Sequence, residues 1–312
     1  MDLEEIQAPV KDLLDESNSF LEKELRSNIN LVNRIRHDTP IIKGKKIRST
    51  LLFLLAGSGN ILTRDLPGIA ASLEMLHLSS LIHDDIIDNS EYRRGEKTLN
   101  FNFGNFISVL WGDFLFITSL NIFNDIDKKF TDIILKSARL MIEGQLLEAE
   151  NTSNYEIEME TYYDIIKKKT SALFAGIGEI ASSLNGASAR TTKGFHDFGL
   201  NFGTMFQISD DMLDIFSENS GKDRFRDLKE GKITFPIILL LKNNARHLVE
   251  NFSEDNKDAL LNLLHEYKIK QSSMLQIKEY YGKCASFLDG FPDSIYKKSL
   301  LKLLNFVTYR DY

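Results

Sequence analysis

Apolar residues recur at intervals of three and four along this chain, and this spacing restricts the fold more than any other feature. Val10, Leu13 and Leu14 show it near the start, and Leu300 and Leu303 show it near the end. Residues three and four apart share one face of an α-helix. No Asn-Gly or Asp-Gly turn joins two alternating runs, and no strand-helix-strand pattern is found. The sequence therefore predicts an all-α protein with roughly ten or more helices.

Several of these helical segments are apolar nearly all round, namely residues 106–120, 165–184 and 198–216. A helix without a polar face is expected to lie inside the protein. The 312 residues could form one large core or two ordinary domains, and no low-complexity linker separates the chain into parts. The sequence favours one domain over residues 1–312.

Two copies of Asp-Asp-x-x-Asp interrupt this apolar pattern. The acids are Asp84, Asp85 and Asp88 in the first copy and Asp210, Asp211 and Asp214 in the second. The outer acids of each copy are four residues apart, so their like charges face the same way and repel. Mg²⁺ relieves such repulsion and completes its coordination with water and phosphate oxygens. One such copy is usually a solvated helix face or end, but two copies in apolar surroundings, each followed by basic residues, predict a metal-dependent diphosphate site.

Basic residues follow each acidic motif. Arg-Arg-Gly stands at residues 93–95, and two Gly-Lys pairs begin at Gly221 and Gly231. With these motifs in this order and spacing, the chain resembles the trans-isoprenyl diphosphate synthases, the polyprenyl synthase family. The resemblance extends from about Lys43 to the C-terminus.

The resemblance implies a fold and an activity. The fold is an orthogonal helical bundle around a central cavity, the isoprenoid synthase type I fold. The activity is the Mg²⁺-dependent head-to-tail (1′-4) condensation of isopentenyl diphosphate with an allylic diphosphate, giving a trans-polyprenyl diphosphate. About three Mg²⁺ ions per active site are implied. Metal ions and fixed cations stabilise the charges that separate when the allylic diphosphate ionises.

The resemblance also assigns roles to individual residues. The residues implied to bind isopentenyl diphosphate are Lys45, Arg48, His77 and Arg94. The residues implied to bind the allylic diphosphate are Arg93, Lys169, Thr170, Gln207, Lys222 and Lys232. The residues implied to act in catalysis are Asp84, Asp88, Lys169, Thr170, Gln207, Asp210 and Lys222. All six acids of the two motifs are implied metal ligands.

One motif departs from the family pattern, which reads Gly-Gly-Lys-x-x-Arg-Pro before the first apolar helix. Lys43 replaces the first glycine and Ser49 replaces the proline, while the charged residues Lys45 and Arg48 match. The charges needed for diphosphate binding are therefore kept, and the conformation of this loop is left open.

Residues about one helical turn before Asp84 predict the product length. Short-chain family members carry a bulky aromatic residue at this level, where Ser79 and Ser80 stand here. One turn is about 5.4 Å, comparable with one isoprene unit, so small side chains should permit at least one further condensation. Candidate deeper limits are Met75 and Leu76, or Phe114 and Phe116. The expected product is C20 or longer.

Three other functions remain open at this stage. The first is a farnesyl diphosphate synthase that stops at C15. The second is a class I terpene cyclase, whose second metal motif usually has a different pattern. The third is a non-catalytic subunit of a heteromeric prenyl synthase, although such subunits tend to lose their acidic motifs. A helical structural protein would instead show no Mg²⁺-dependent diphosphate binding.

Composition restricts the partners and the location. A formal net charge of −7 argues against a nucleic-acid partner, and the single cysteine, Cys284, excludes an internal disulfide. The N-terminus lacks a signal-peptide pattern, and no uninterrupted apolar run approaches the ~18 residues of a membrane span. A cytoplasmic location is therefore expected. The resemblance implies a homodimer, and the apolar segment 106–120 is compatible with it. The preferred allylic primer and the downstream pathway are left open.

Overall fold

The computed structural model describes residues 2–38, 44–59, 62–93, 95–217, 224–243 and 245–309. Within these ranges the secondary structure is helical apart from one short two-stranded hairpin, so the all-α prediction is confirmed. The chain divides into two compact units, residues 2–134 and 135–312. The single-domain interpretation stays a prediction.

The first unit contains six helices and the hairpin. The helices are α1 (Leu3–Gln7), α2 (Lys11–Glu24), α3 (Asn30–Asp38), α4 (Ile47–Ser58), α5 (Leu66–Ile87) and α6 (Leu99–Ile126), with a 3₁₀ turn at Ala8–Val10. The antiparallel strands are β1 (Tyr92–Arg93) and β2 (Glu96–Lys97). A seventh helix, α7 (Lys128–Glu150), begins in the first unit and ends in the second.

The core of the first unit lies around α5 and α6. Its buried residues on these helices repeat with helical spacing. They are Ala71, Met75 and Ile82 on α5 and Trp111, Leu115 and Ile122 on α6. Leu21 of α2, Leu25 at the end of that helix and Ile35 of α3 belong to the same cluster. Burying each large side chain contributes about 1.5–3 kcal/mol, so α5 is held firmly upstream of the first acidic motif.

The apolar helix α6 differs from its prediction. Its backbone breaks at Gly104 (φ 79°, ψ 161°), a conformation that glycine adopts readily. Beyond the break, one face of the helix is open to solvent: Phe106 is 75%, Leu110 51% and Ile117 54% exposed. The prediction that residues 106–120 lie inside is therefore wrong for this face. Residues 106, 110 and 117 form one exposed stripe along the helix.

Helix α6 also bears on the membrane expectation. Among the described residues, Leu99–Ile126 is the one helix long and apolar enough to cross a bilayer by length and composition. Its most apolar 18-residue window has a mean hydropathy of 1.6, and 39% of that window is buried. This helix contains no uninterrupted apolar run of that length, because polar residues such as Asn105 and Asp113 interrupt it. Core helices of soluble proteins meet the same criteria.

The second unit contains the remaining helices. They are α8 (Met159–Ile166), α9 (Ala172–Leu184), α10 (Ala189–Phe216), α11 (Arg226–Lys229), α12 (Phe235–Leu241), α13 (Arg246–Glu250), α14 (Lys257–Glu266), α15 (Ile269–Leu288) and α16 (Ile295–Thr308). A π-helical turn, Lys167–Ser171, joins α8 to α9, and a 3₁₀ turn at Glu254–Asn256 precedes α14.

The second unit is organised by the close packing of α9 against α10. A Cβ atom at Gly199 would lie 2.1 Å from the carbonyl oxygen of Phe174, so only glycine allows the two backbones to approach this closely. Aromatic rings fill the surrounding core, including Phe195 and Phe287, whose centroids are 5.2 Å apart. The prediction that residues 198–216 form an inner helix is confirmed by the burial of Phe198, Phe202, Met205, Ile208 and Met212. This burial fixes the helix that carries the second acidic motif.

Candidate active site

The first acidic motif occupies the last turn of α5. The backbone N–H of Asp88 donates to the carbonyl oxygen of Asp84 at 2.8 Å, so the two residues stand one above the other at the helix end. Asp84 and Asp88 are partly exposed, whereas Asp85 is only 6% exposed. The predicted pairing of the outer acids on one helix face is therefore present in this motif.

The hairpin after α5 supplies a cation to the buried acid. Arg93 lies on β1, and its Nε donates to Oδ1 of Asp85 at 2.7 Å. Thr98 and Asn100 hold the hairpin to the helix end, because their side chains donate to the carbonyl oxygen of Ser90 at 2.7 and 3.1 Å. Arg93 was predicted to face the allylic diphosphate, and its guanidinium is fixed in place by Asp85. Arg94 lies outside the described residues.

The predicted isopentenyl-diphosphate residues of the first unit lie on α4, on the loop before it and on α5. Lys45 is exposed in the loop before α4, and Arg48 is partly buried in the first turn of that helix. His77 is partly exposed on α5, two turns before Asp84.

The middle acid of the second motif is the most enclosed. Asp211 is 2% exposed, and its carboxylate accepts hydrogen bonds from three neutral donors. The hydroxyl of Tyr162 donates at 2.6 Å, the amide of Gln207 at 2.9 Å and the backbone N–H of Phe235 at 3.3 Å. Burial and the nearby charge of Asp227 raise the pKa of Asp211 to about 7. These bonds join α8, α10 and the start of α12, so Asp211 holds the second motif in position.

The last acid of the second motif faces a short helix that follows it in the chain. The Asp214 carboxylate accepts the backbone N–H groups of Arg226 at 3.1 Å and Asp227 at 3.3 Å. Burial and the charge of Asp227 raise the pKa of Asp214 to about 8. Burial also raises the pKa of Asp227 to about 6, although the cations Lys232 and Lys169 act in the opposite direction. Buried carboxylates with raised pKa values favour a bound cation.

The predicted Lys-Thr pair lies on the π-helical turn Lys167–Ser171. Such turns are rare and often occur at functional sites. The Thr170 hydroxyl donates to Oε1 of Gln207 at 2.7 Å, and Lys169 Nζ lies 2.5 Å from Oε2 of Glu148 on α7. Helix α7 passes so close to the turn that a Cβ atom at Gly144 would lie 2.4 Å from the Lys169 backbone nitrogen. The structure therefore brings Gln207 to the adjacent pair Lys169 and Thr170, although Gln207 stands 37 residues after Thr170 in the sequence.

Of the two predicted lysines downstream of the second acidic motif, the structure describes Lys232. Lys232 Nζ donates to Oε2 of Glu230 at 2.7 Å, and its backbone N–H donates to the carbonyl oxygen of Asp227 at 2.8 Å. Lys232 therefore belongs to the same charged cluster as Asp227. Lys222 lies outside the described residues.

The predicted chain-length residues lie on α5 at different depths. Ser79 is 3% exposed, and Ser80 is partly exposed with its hydroxyl donating to the carbonyl oxygen of His77 at 2.8 Å. Met75 and Leu76 are buried, and Met75 belongs to the core cluster with Trp111.

The donor set suits Mg²⁺ more than a metal held wholly by protein. Among the described residues, no group of three or more His, Cys, Asp and Glu side chains could hold a metal ion. Mg²⁺ commonly takes one or two carboxylates and fills its octahedron with water and phosphate oxygens. In the first unit the partly exposed acids Asp84 and Asp88 fit that pattern, and in the second unit the partly exposed Asp210 does. Asp85 and Asp211, which are buried and hydrogen-bonded, fit a supporting role.

Sequence reasoning missed three residues of the site, namely Glu148, Tyr162 and Asp227. Glu148 and Tyr162 lie in the polar stretch 143–164, whose pattern does not distinguish them from its other polar residues. Asp227 offered a weak signal, since it stands between the two Gly-Lys pairs. Its place beside Asp214 depends on the turn that leads into α11.

Comparisons with known proteins agree with this geometry. A family profile described as Polyprenyl synthetase matches residues 30–267. The octaprenyl diphosphate synthase of Haemophilus influenzae is 30% identical, with 100% of this chain and 98% of that protein covered. The heptaprenyl diphosphate synthase component 2 of Bacillus subtilis is 29% identical, with 97% and 89% covered.

Solved structures agree on the fold. The crystal structure of a decaprenyl diphosphate synthase from Rhodobacter capsulatus superposes with a TM-score of 0.91 at 24% identity, covering 100% of both chains. This likeness confirms the isoprenoid synthase type I fold. Because the profile spans most of the chain and a relative of 30% identity spans all of it, this chain belongs to the polyprenyl synthetase family.

Proposed function

We propose that this protein is a prenyltransferase that condenses isopentenyl diphosphate head to tail with an allylic diphosphate. The product is a trans-polyprenyl diphosphate of C20 or longer. The observation that carries this proposal is the convergence of Lys169, Thr170 and Gln207 beside the second acidic motif. Thr170 binds Gln207 at 2.7 Å, and Gln207 binds Asp211 at 2.9 Å. A lysine next to a hydroxyl that is hydrogen-bonded through an amide to a buried acid suits an ionising diphosphate.

The chain's own residues stabilise the two charges that separate on ionisation. Bound Mg²⁺ would neutralise negative charge on the diphosphate, held by the outer acids of the motifs. In the second unit, Lys169 and Lys232 add fixed positive charges that can stabilise the leaving oxygens. Arg93, in the first unit, is implied by the resemblance to face the allylic diphosphate. The Thr170 hydroxyl donates a hydrogen bond to Gln207. The lone pairs of its oxygen point away from Gln207 and can face the allylic cation. The departed diphosphate takes the proton lost from the product, as the resemblance implies.

Product analysis tests this function. Purified protein is incubated with Mg²⁺, labelled isopentenyl diphosphate and one allylic primer at a time, and the dephosphorylated products are separated by chromatography. Products of C20 or longer are expected. An endpoint of C15 would contradict the proposed chain length and leave the prenyltransferase activity in place. Absence of condensation with every primer would contradict the function itself.

The small residues on α5 support the long product. The octaprenyl and heptaprenyl names of the relatives also favour several condensations. Ser80 is partly exposed, so Ser80→Phe is expected to shorten the product, with Ser80→Ala as the matched control that keeps the site open. Unchanged lengths in Ser80→Phe would show that Ser80 does not line the path of the growing chain.

The proposed partner is a second copy of the chain, bound through the exposed stripe of α6. Exposed apolar patches of this kind mark interaction surfaces. Leu110→Glu is expected to convert a dimer to a monomer in sedimentation velocity. Leu275→Glu is the matched control, because Leu275 is a 68% exposed leucine on α15, a helix of the second unit. A protein that is already monomeric, or a Leu110→Glu dimer, would contradict this interface.

A heteromeric assembly is a second candidate, favoured by the name of the Bacillus subtilis relative, which is one component of its enzyme. Activity of the purified chain alone would exclude a requirement for another subunit. A folded chain that binds diphosphates without condensing them would favour the heteromer. The cytoplasmic location stays a prediction.

A further inference from the structure

The loop that carries Lys45 is fastened by two side chains that the sequence motifs do not include. The Gln7 amide of α1 donates to the carbonyl oxygen of Lys45 at 2.9 Å and to Oγ1 of Thr50 at 2.9 Å. On the other side, Oε1 of Glu74 accepts the Ser49 hydroxyl at 2.7 Å and the Ser49 backbone N–H at 3.2 Å. The loop and the first turn of α4 are thus held from two directions.

The local backbone explains why this loop needs support. Lys46 is the N-cap of α4, lies in the left-handed region (φ 49°, ψ 37°) and makes no side-chain capping bond. A residue with a side chain adopts this conformation at a cost, which the surrounding structure must offset. The first N–H groups of a helix also have no partner within the helix. Glu74 binds one of these groups from outside and so replaces a cap.

The supporting residues are themselves anchored. Ile6 and Val10, on either side of Gln7, are 0% and 1% exposed, which fixes the N-terminal segment against the first unit. Glu74 lies on α5, one turn before His77. The helix that carries His77 and the first acidic motif is therefore bonded directly to the turn that carries Arg48.

Ser49 is the residue that makes the Glu74 contact possible. The family pattern has proline at this position, and proline has no backbone N–H to donate. Ser49 supplies both an N–H and a hydroxyl, and both reach the same Glu74 oxygen. Ser49, which departs from the family pattern, and Glu74, which accepts both of its hydrogen bonds, are therefore directly linked in this chain.

We propose that Glu74 and Gln7 are positioning residues for isopentenyl diphosphate, acting through Ser49 and through the Lys45 backbone to orient Lys45 and Arg48. This inference rests on the proposed function, in which those two cations bind that substrate. A carboxylate near a diphosphate site repels the ligand, so Glu74 contributes through its hydrogen bonds and not through its charge. Glu74→Gln keeps an acceptor for Ser49, whereas Glu74→Ala removes it.

Calorimetric titration of the full chain with isopentenyl diphosphate, without a second substrate, tests the proposal. Glu74→Ala and Gln7→Ala are expected to raise the Kd for isopentenyl diphosphate about tenfold, the usual effect of losing a hydrogen bond to a charged or oriented group. Glu74→Gln is expected to bind within about twofold of the natural protein. The affinity for dimethylallyl diphosphate with Mg²⁺ is expected to stay within about twofold in all variants.

Two control variants separate positioning from general destabilisation. Ser72→Ala removes a buried hydroxyl of α5 that donates only within its own helix, to the carbonyl oxygen of Gly68. It should lower Tm without changing the ratio of the two affinities. Glu4→Ala removes an exposed side chain of α1 and serves as the control for Gln7→Ala.

A double-mutant cycle tests whether Glu74 acts through Ser49. Proline is tolerated in the first turn of a helix, so Ser49→Pro removes both donors without breaking α4. In the Ser49→Pro background, Glu74→Ala should have little further effect on the Kd for isopentenyl diphosphate. Full additivity of the two changes would contradict coupling between these residues.

The remaining outcomes have distinct meanings. The proposal is overturned if Glu74→Ala keeps the natural affinity for isopentenyl diphosphate, or if both substrate affinities fall together. If the expected pattern is seen but the natural protein condenses nothing, the proposed function fails and the positioning role stands. If the natural protein does not bind isopentenyl diphosphate, both are overturned.

Discussion

The two acidic motifs share one sequence pattern, yet the structure surrounds them differently. In both, the middle acid is buried and the outer acids are more accessible: Asp85 is 6% exposed and Asp211 is 2% exposed. Asp85 is paired with the guanidinium of Arg93 at 2.7 Å. Among the described residues, the donors to Asp211 are neutral: the Tyr162 hydroxyl, the Gln207 amide and the Phe235 backbone N–H.

The difference shows that a repeated motif fixes which acid is buried, while the neighbouring elements decide how its charge is stabilised. A cation next to a carboxylate compensates for burial directly. Neutral donors compensate only in part, and the pKa of Asp211 is accordingly raised to about 7. In the first motif Arg93 therefore compensates for the burial of Asp85, whereas in the second motif Asp211 gains more from a bound cation.

The largest expected effect separates outer from middle acids in the first motif. Asp84→Asn is expected to lower kcat about 10³-fold, because a charge that faces the metal and diphosphate is lost. Asp85→Asn should lower kcat much less. Initial rates with labelled isopentenyl diphosphate at saturating Mg²⁺ measure this, with Asp15→Asn on the exposed face of α2 as control. Equal losses of activity, at unchanged stability, would contradict the supporting role of Asp85.

The next largest effect is the loss of unfolding free energy when the middle acid of either motif is removed. Asp211→Ala is expected to lower the free energy of unfolding by about 3 kcal/mol, because it leaves several buried donors without an acceptor. Asp85→Ala should cost about 2 kcal/mol or less, because Arg93 has a side chain 31% exposed and can reach water. Urea unfolding of both variants measures the difference. A larger loss of unfolding free energy in Asp85→Ala than in Asp211→Ala would contradict this expectation.

The pH dependence of the metal-free protein should come from the second motif. The pKa of Asp214 rises from 3.8 to about 8 on folding, so its contribution to stability is complete below pH 3.8. That contribution is lost as pH rises towards 8, by at most about 1.4 kcal/mol per pH unit. Asp214→Asn should therefore be more stable than the natural protein at pH 7.5 and lose this advantage near pH 4.

Urea unfolding in the presence of a chelator, repeated across this pH range, measures the effect. Added Mg²⁺ and diphosphate should reduce the difference between Asp214→Asn and the natural protein at pH 7.5, because the bound cation favours the ionised acid. A stability difference that does not change with pH would show that Asp214 is ionised in the folded protein throughout.

The smallest expected effect concerns the hydroxyl that supports Asp211. Tyr162→Phe should lower the free energy of unfolding by about 1.5 kcal/mol. It should also raise the pKa of Asp211 further, because the Tyr162 hydrogen bond lowers that pKa. Tyr163→Phe is the matched control on the same helix, since Tyr163 bonds to Tyr280 and not to the motif. If the free energy of unfolding depends on pH identically in the two variants, Tyr162 does not stabilise the charge of the second motif.

Much of the site could be predicted because its chemistry follows from local spacing. Asp84 and Asp88 share a face through helical periodicity alone, and the basic pairs mark diphosphate binding by their residue types. Asp227 and Glu148 could not be predicted, because a single acid in a polar stretch carries no periodic signal. Their roles depend on a turn and on a neighbouring helix that approach from elsewhere in the sequence.

The sequence by itself determined the helical class, the two acidic motifs and the family, because these depend on residue spacing and residue type. Only the tertiary structure decided that α6 has an exposed apolar stripe, that Lys169 and Thr170 lie on a π-helical turn, and that Glu74 holds the Ser49 turn. The physical reason is that spacing determines which residues share a helix face. What that face meets depends on the packing of elements far apart in the chain.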